Sequence, residues 1–281
     1  TGSDVIGEKV VQASSRHLSS FTLELGGKSP VFVDRGYSLD SVINRMMAAK
    51  FVNLGQSCIA PDYLVVHEDD YELFVRKFRE RVESAYGKTL EEQLSSGSLA
   101  RIVNSMHFDR LNSIIKSNPG SVVFGGDSDE DSRFISPTVL DGDKLNGELS
   151  CIEIFGPLLP VYRYRSEEDL NDKIFEVGSP LAVYIFSNRN SFIDSVKSQS
   201  SSGAVCVNDI ATHFLNHSLP FGGVMRSGSG RYHGFSGFKE FSNSRSVVVQ
   251  SRFNFLNLIG PPYSKLTQKI ADTLIYLYKK L

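Results

Sequence analysis

The alternation of two kinds of segment constrains the fold of this chain more than any other feature. Short apolar runs of strand length are separated by longer segments whose apolar residues recur at helical spacing. Such alternation is typical of a largely parallel sheet covered by helices, so we predict an α/β fold. The predicted strands cover 21–25, 30–34, 63–67, 121–124, 134–140, 158–164, 181–186 and 204–207.

The segments between these runs are predicted to be helices or loops. The predicted helices cover 38–51, 69–86, 106–117, 166–177 and 190–199. We interpret 87–97 as a surface loop, and the acidic run 127–131 as a solvated turn because it lacks the spacing of a calcium-binding EF-hand. The glycine-dense region 221–238 is predicted to be a loop whose backbone can approach a ligand or a neighbouring subunit.

One thiol occupies a position that suits a nucleophile. Cys58 lies in the stretch NLGQSCIAPDY (53–63), between a turn-rich approach and a proline that stops a helix, and directly before a predicted strand. A thiol beside a rigid element, with backbone able to approach a ligand, can act in covalent catalysis. The alternative is that Cys58 fills the core, since free cysteine is among the most buried residue types.

A carboxylate 34 residues upstream favours the interpretation of Cys58 as a nucleophile over that of a core residue. Glu24 ends an apolar run in LELGGKSP (23–30) and is followed by two glycines. Together with NLGQSCIAPDY, with EIFGP (153–157) and with LPFGGV (219–224), this motif resembles the aldehyde dehydrogenase superfamily. The sequence APDY is similar to its class 3, fatty-aldehyde-oxidising branch, and the resemblance extends from residue 1 to about 249.

The resemblance implies a domain organisation. Residues 1–24 correspond to the end of the NAD-binding domain, and we expect most of that N-terminal Rossmann-like domain to be absent from this stretch. Residues 25–220 correspond to the catalytic α/β domain. Residues 221–250 correspond to a glycine-rich loop and an oligomerisation strand over 245–250. Residues 251–281 form a tail with helical spacing of its apolar residues.

The resemblance also implies roles for individual residues. Cys58 is the expected nucleophile, which forms a thiohemiacetal and then a thioester, and its own backbone amide is one expected donor to the oxyanion. Glu24 is the expected general base for the water that cleaves the thioester. Glu153 and Phe155 are expected to hold the nicotinamide ribose and the nicotinamide ring of NAD or NADP.

Weaker matches concern the first turn and the last loop. Gly2 and Ser3 open a predicted helix whose free amides can face the anionic cofactor, with Ser3 as its N-cap. Three residues resemble class 3 positions that border the active site, namely Asn208, Tyr232 and His233. Met225 departs from the family pattern, because a glycine is usual there, and we expect strain if that position needs a positive φ.

Composition excludes several classes of function. A net charge of -2 and a pI near 6.3 give no electrostatic basis for binding nucleic acid. No apolar run approaches the roughly 20 residues that span a bilayer. Cys58, Cys151 and Cys206 form a sparse, odd set that indicates a reducing compartment and no disulfide framework. Their spacing does not match a zinc site, so we expect no metal.

These observations predict NAD(P)-dependent oxidation of medium- to long-chain aldehydes by the parent protein, a homodimer in the cytoplasm. We expect the 281 residues alone to be inactive as a dehydrogenase. Two alternatives remain open: a catalytically silent oligomerisation partner, and a thiol-dependent esterase that uses Cys58 and Glu24. The tail over 264–281 has an apolar face beside four lysines. It can lie on an intracellular membrane or pack on its own protein.

Overall fold

A computed structural model of the chain describes residues 1–145, 152–175, 178–250, 252, 254 and 260–280. Cys151, the end of the predicted helix 166–177 and parts of the tail lie outside the described residues. The chain forms two compact units, Thr1–Phe241 and Ser242–Leu281, which are treated separately below.

The strands of the first unit follow the predicted order. They are β1 (Leu23–Glu24), β2 (Pro30–Val33), β3 (Tyr63–His67), β4 (Val122–Phe124), β5 (Ser128–Asp129), β6 (Phe134–Ile135), β7 (Thr138–Asp141), β8 (Leu158–Tyr164), β9 (Ala182–Phe186), β10 (Ala204–Val207) and β11 (Gly228–Ser229). Seven of them form one sheet in the order β10-β9-β2-β3-β8-β7-β4. Neighbours pair in parallel except β4, which is antiparallel to β7. The predicted α/β class with a mostly parallel sheet is confirmed.

The helices cover both faces of this sheet. They are α1 (Asp4–Ser15), α2 (Leu39–Phe51), α3 (Glu68–Tyr86), α4 (Leu90–Ser95), α5 (Ser105–Ser117), α6 (Glu167–Phe175), α7 (Asn190–Gln199), α8 (Thr212–Leu215) and α9 (Gly234–Glu240). Apolar side chains of α2, α3 and α5 pack on one face, where Val31, Leu64 and Tyr184 alternate with the residues of the other face. Leu170 of α6 and Phe192 of α7 cover that other face.

Because neighbouring strands run in parallel, their ends form two distinct edges. We call the edge at Pro30, Tyr63, Leu158, Ala182 and Ala204 the amino edge, and the edge at Val33, His67, Tyr164, Phe186 and Val207 the carboxyl edge. The three motifs that end at 30, 63 and 157 all precede strands. The topology therefore collects them at the amino edge.

Local structure differs from prediction in several places, one of which is the predicted solvated turn 127–131, where Ser128–Asp129 forms β5. The predicted loop 87–97 contains α4, because Thr89 and Glu92 form a reciprocal capping box around its first turn. The predicted loop 221–238 contains β11 and α9. The predicted strand 245–250 is not formed in the chain by itself, and Val247, Val248 and Val249 are exposed there. A strand needs a ladder partner for its backbone groups, and among the described residues no strand ladder includes 245–249.

The second unit contains the predicted amphipathic helix. It is α10 (Lys265–Tyr278), and Ser264 and Thr267 form the hydrogen bonds that cap its start. Leu266, Leu274 and Leu277 are exposed on it. Within the described part of the chain, every helix is too short or too polar to cross a bilayer. The division predicted at residues 24, 220 and 250 stays a prediction.

Candidate active site

Cys58 lies in a turn that connects α2 to β3, and the backbone before it is strained. Asn53, Leu54 and Gly55 all have positive φ, at 50°, 55° and 75°. A left-handed non-glycine residue costs roughly 1–2 kcal/mol, so this conformation has to be held by its surroundings. Gly55 is required here, because an added Cβ would lie 2.2 Å from the carbonyl oxygen of Gly156. The turn of Cys58 is thus packed directly against the segment that carries Glu153.

Two side-chain hydrogen bonds hold the residues 56–62, which we call the nucleophile turn. The Tyr184 hydroxyl donates a hydrogen bond to the Ile59 carbonyl at 2.6 Å. The ammonium of Lys50, a residue only 1% exposed, donates to the Pro61 carbonyl at 2.8 Å. The backbone amides of Cys58 and Ile59 both face the Cys58 sulfur and favour its anionic form. Two such amides are the donors that an oxyanion on an adduct of Cys58 would need.

Glu24 lies beside the glycine-rich loop, because β1 pairs with β11. The side chain is buried, and its Oε1 has no hydrogen-bond partner among the described residues. Burial raises the pKa of Glu24 from 4.5 to about 7, an effect that the nearby Arg231 opposes. A carboxylate with a pKa near neutrality is suited to accept a proton from water.

Glu153 lies over the two glycines that follow Glu24. A Cβ added at Gly26 would lie 2.2 Å from Glu153 Oε2, and the backbone N–H of Gly27 donates to the same carboxylate. Burial, with the negative charge of Asp62 as the next cause, raises the pKa of Glu153 to about 7. The glycine pair therefore provides the space in which this carboxylate lies.

The electrostatics of the thiol show that these groups share one site. Burial raises the pKa of Cys58, and the charges of Glu153 and then Glu24 raise it further. Burial also raises the pKa of Tyr232, followed by the charges of Glu24 and Cys58. The fold thus brings together four residues that the sequence analysis singled out. Burial and the two carboxyl groups thus disfavour the thiolate of Cys58.

Gly2 and Ser3 also lie close to Glu24. The Gly2 N–H donates to the Glu24 carbonyl oxygen at 3.0 Å. Ser3 occupies the N-cap position of α1, but its side chain makes no capping hydrogen bond, contrary to the prediction. The first amides of this helix therefore remain able to face an anion. Phe155, with φ 50°, is partly exposed beside Glu153.

His233 belongs to an aromatic cluster around Phe221. The His233 ring stacks on Phe221 at 5.2 Å between centroids and meets Tyr232 edge-on at 4.7 Å. Phe214 and His217 complete this cluster. His233 Nδ1 is buried, with no hydrogen-bond partner among the described residues. The pair Tyr232–His233 is thus placed next to the thiol through Tyr232.

Asn208 is the predicted site residue that the structure does not bring to this cluster. It follows β10 and so lies at the carboxyl edge, opposite the amino edge where Cys58 precedes β3. Its side-chain amide bonds the backbone of Ser187 in both directions, at 2.9 and 3.0 Å. In the structure Asn208 ties two strand ends together, and its interpretation as a residue that borders the active site stays a prediction.

The sequence analysis missed two charged residues that hold the Glu153 segment. Asp62 accepts the Ile154 N–H at 2.7 Å and forms a buried ion pair with Lys28. Arg110 donates to the Ile154 carbonyl at 2.7 Å. The position of Asp62 inside the motif APDY was a signal that could have identified it. Nothing in the sequence around Arg110 marks its role.

The expected strain at Met225 is confirmed. Its φ is 53°, in the left-handed region where a glycine would be relaxed. The side chain is 81% exposed and accepts a hydrogen bond from the Ser179 hydroxyl at 3.4 Å. Packing of the Met225 side chain therefore offsets little of the backbone strain.

The described residues contain no cluster of His, Cys, Asp and Glu that could hold a metal ion. They do offer partial contacts for a dinucleotide at the amino edge. Glu153 supplies a carboxylate for hydroxyl groups, Phe155 supplies a ring face, and α1 begins with no side-chain cap from Ser3. These groups fit the nicotinamide end of NAD or NADP.

Comparison with known proteins agrees with this geometry. The sequence model of the aldehyde dehydrogenase family matches residues 1–247. Aldehyde dehydrogenase family 3 member A2 of Rattus norvegicus is 40% identical over 250 residues, which are 89% of this chain and 51% of that protein. The rat protein called aldehyde dehydrogenase, dimeric NADP-preferring is 39% identical over 254 residues, 90% of this chain and 55% of its own length.

A solved structure shows the same fold. The substrate-bound state of Staphylococcus aureus AldH superimposes with a TM-score of 0.84 at 36% identity, covering 98% of this chain and 59% of that one. The chain thus spans about half the length of the curated relatives it matches.

Proposed function

The chain belongs to the aldehyde dehydrogenase family, and we propose that its Cys58 site oxidises aldehydes to carboxylic acids with NAD or NADP. One observation carries the proposal: a thiol faced by two backbone amides lies beside a buried carboxyl group whose pKa is about 7. A nucleophile, an oxyanion site and a general base are the parts that acyl transfer through a thioester requires.

The proposed reaction proceeds in two stages on Cys58. The sulfur attacks the aldehyde carbon while the thiol proton passes to a neighbouring carboxylate, and the amides of Cys58 and Ile59 hold the resulting oxyanion. When bound, NAD or NADP accepts the hydride that leaves this adduct. Glu24 then removes a proton from the water that attacks the thioester, which releases the acid and restores the thiol.

We assign the holding of the nicotinamide end to Glu153 and Phe155. The carboxylate would accept hydrogen bonds from ribose hydroxyls, and the ring would pack against the nicotinamide. Gly2 and Ser3 would meet the negative charge of the cofactor through the Ser3 amide, because the Gly2 amide already donates to the Glu24 carbonyl oxygen. These roles rest on the family resemblance and on the proximity of these segments to Glu24 and Cys58.

The substrate we propose is a medium- to long-chain aldehyde. Support comes from the motif APDY and from the aromatic cluster of Phe214, Phe221, Tyr232 and His233, which reaches the site through Tyr232. The ring faces of this aromatic cluster suit a hydrocarbon chain, because burial of each CH₂ contributes about 0.8 kcal/mol. A series of aldehydes of increasing length should show falling KM.

We also propose that the protein is a homodimer and that α10 contacts a membrane surface. The valines 247–249 are exposed and belong to none of the sheets formed by the described residues, which suits pairing across subunits, and one rat relative carries the word dimeric in its name. Leu266, Leu274 and Leu277 give α10 an exposed apolar face. Sedimentation equilibrium tests the dimer. Co-sedimentation with anionic vesicles, with Leu274→Asp as the variant that should stay in solution, tests the membrane contact.

The decisive experiment compares this chain with the longest reading frame that contains it. Both are purified and assayed for NADH and NADPH production from a long-chain aldehyde. We expect activity in the longer form and none in the 281 residues alone. We assign the described residues to one end of the cofactor, and positioning of the reacting groups is worth about 7–11 kcal/mol of barrier. Turnover of an ester without aldehyde oxidation in the longer form would instead favour a thiol esterase.

A further inference from the structure

A buried tyrosine connects the nucleophile turn to the body of the sheet. Tyr184, in the middle of β9, has no exposed surface. Its hydroxyl donates to the Ile59 carbonyl at 2.6 Å, and the backbone N–H of Ala211 faces the same oxygen. One hydroxyl therefore satisfies a carbonyl of the nucleophile turn and an amide from the segment after β10. Neither partner lies near Tyr184 in sequence.

This hydrogen bond determines which way the peptide groups of the turn point. The turn is closed by the Ala60 N–H, which donates to the Ser57 carbonyl at 3.0 Å. The Ile59 carbonyl is bonded to the Tyr184 hydroxyl, and in this conformation the amides of Cys58 and Ile59 face the sulfur. The Ile59–Ala60 peptide group is joined to the Cys58–Ile59 peptide group through the φ and ψ of Ile59, so the orientation of one restricts that of the other. Loss of the bond at Ile59 would release the amides at Cys58.

We propose that Tyr184 is a positioning residue for the nucleophile: its hydroxyl keeps the Cys58 and Ile59 amides aimed at the sulfur. The inference deepens the proposed function, on which it rests only for the identity of Cys58 as the nucleophile. Tyr184 itself touches backbone and not the reacting atoms. Its effect on the thiol is transmitted through the nucleophile turn.

The same sheet contains a matched control. Tyr164, at the end of β8, is also buried, at 5% exposure, and its hydroxyl also bridges two backbone groups. It donates to the Val33 carbonyl at 3.2 Å and accepts from the Arg35 N–H at 3.0 Å. These partners lie at the carboxyl edge, away from Cys58. Removal of either hydroxyl leaves one buried carbonyl and one amide without a partner, so both variants should lose similar stability.

The test measures the reactivity of Cys58 in the 281-residue chain. Iodoacetamide modification of the peptide that contains Cys58 is followed by mass spectrometry over a range of pH, for wild type, Tyr184→Phe and Tyr164→Phe. Thermal unfolding identifies a temperature at which all three are folded. We expect the Tyr184→Phe profile to move to higher pH by about one unit, so that modification near pH 8 slows about tenfold. The Tyr164→Phe profile should coincide with wild type.

Two results would overturn the inference. One is a Tyr184→Phe profile that coincides with wild type. The other is an equal shift in Tyr164→Phe, which would show a general effect of lost stability. The assay needs neither aldehyde nor cofactor, so its outcome is separate from that of the proposed function. If the longer form is an active dehydrogenase, Tyr184→Phe should also lower kcat with little change in KM for the cofactor.

Discussion

The two edges of the sheet each bury a carboxyl group, and their environments are opposite. At the amino edge, Glu24 has an oxygen without a partner, and burial raises its pKa to about 7. At the carboxyl edge, Asp34 is more deeply buried, at 3% exposure. Its oxygens accept hydrogen bonds from Arg189 and Ser187, and these donors lower its pKa despite the opposing effect of burial.

The comparison shows that burial alone does not decide what a carboxyl group can do. Both groups are withdrawn from water, which disfavours the charged form. Asp34 is kept charged by its donors, so it serves the structure by joining β2 to the start of α7. Glu24 lacks such donors, so it can exchange a proton near neutral pH. The unsatisfied group, which is the costly one for stability, is the candidate for chemistry.

The largest expected effect comes from removal of the thiol at the amino edge. Cys58→Ser in the longer reading frame should lower aldehyde oxidation by at least about a thousandfold, because a hydroxyl does not form an anion readily at neutral pH. The measurement is NAD(P)H production under saturating substrate. Cys206→Ser is the matched control, since that thiol is buried against His213 at 3.0 Å and has no proposed role. Substantial turnover by Cys58→Ser would refute the nucleophile assignment.

Glu24→Gln should slow release of the acid by about 10²–10⁴-fold, because the water that attacks the thioester loses its base. The acyl-enzyme should then accumulate and be visible as an added mass on Cys58. Glu153→Gln in parallel should weaken cofactor binding without accumulation of the acyl group. Unchanged turnover together with no adduct in Glu24→Gln would contradict the division of roles between these two carboxylates.

At the carboxyl edge, replacement of Asp34 should lower the stability of the fold and leave the reactivity of Cys58 unchanged. Asp34→Asn weakens the bonds to Arg189 and Ser187 and should cost about 1–3 kcal/mol of unfolding free energy. Urea denaturation measures this cost, and iodoacetamide modification of Cys58 should proceed at the wild-type rate. A slowed modification in Asp34→Asn would show that the two edges are coupled and would break the comparison.

The pH dependence of stability should have opposite signs at the two edges. The native pKa of Glu24 is raised from 4.5 to about 7. Its contribution to the stability of the folded state is therefore fully present below pH 4.5 and is lost as the pH rises through 7. The native pKa of Asp34 is lowered below 3.8, so its contribution is present above 3.8 and is lost as the pH falls through the native value.

Urea unfolding across this pH range tests both signs through differences between variants and wild type. Relative to wild type, Glu24→Gln should gain about 1–3 kcal/mol between pH 4.5 and pH 7. Asp34→Asn should be less stable than wild type near neutral pH, and this difference in stability should disappear only in acid. If Glu24→Gln ran parallel to wild type over this range, the raised pKa of Glu24 would be refuted.

The smallest expected effect concerns strain in the glycine-rich loop beside Glu24. Met225→Gly should stabilise the protein by about 1 kcal/mol, since glycine adopts φ 53° without a steric penalty and the methionine packs little. Differential scanning calorimetry should show a rise of about 2–4 °C. A fall in the unfolding temperature would mean that the flexibility of glycine in the unfolded chain outweighs the strain.

The sequence by itself determined the class of fold and indicated the candidate reacting groups. Alternating strand and helix periods predicted the parallel sheet, since side-chain spacing follows directly from backbone geometry. The motifs around Glu24, Cys58 and Glu153 pointed to the chemistry through residue types and order along the chain. The replacement of a usual glycine by Met225 could also be recognised from the family resemblance, whereas the positive φ of that residue was found only in the structure.

Tertiary structure alone decided which groups meet. Tyr184 contacts Ile59 across 125 positions and Asp62 contacts Ile154 across 92, and no local pattern specifies such pairs. It also decided that Asn208 lies at the carboxyl edge, because the direction of β10 in the sheet places it there. The strand expected over 245–250 is not formed among the described residues. Burial and donor geometry, which set the contrast between Glu24 and Asp34, arise only when distant segments pack together.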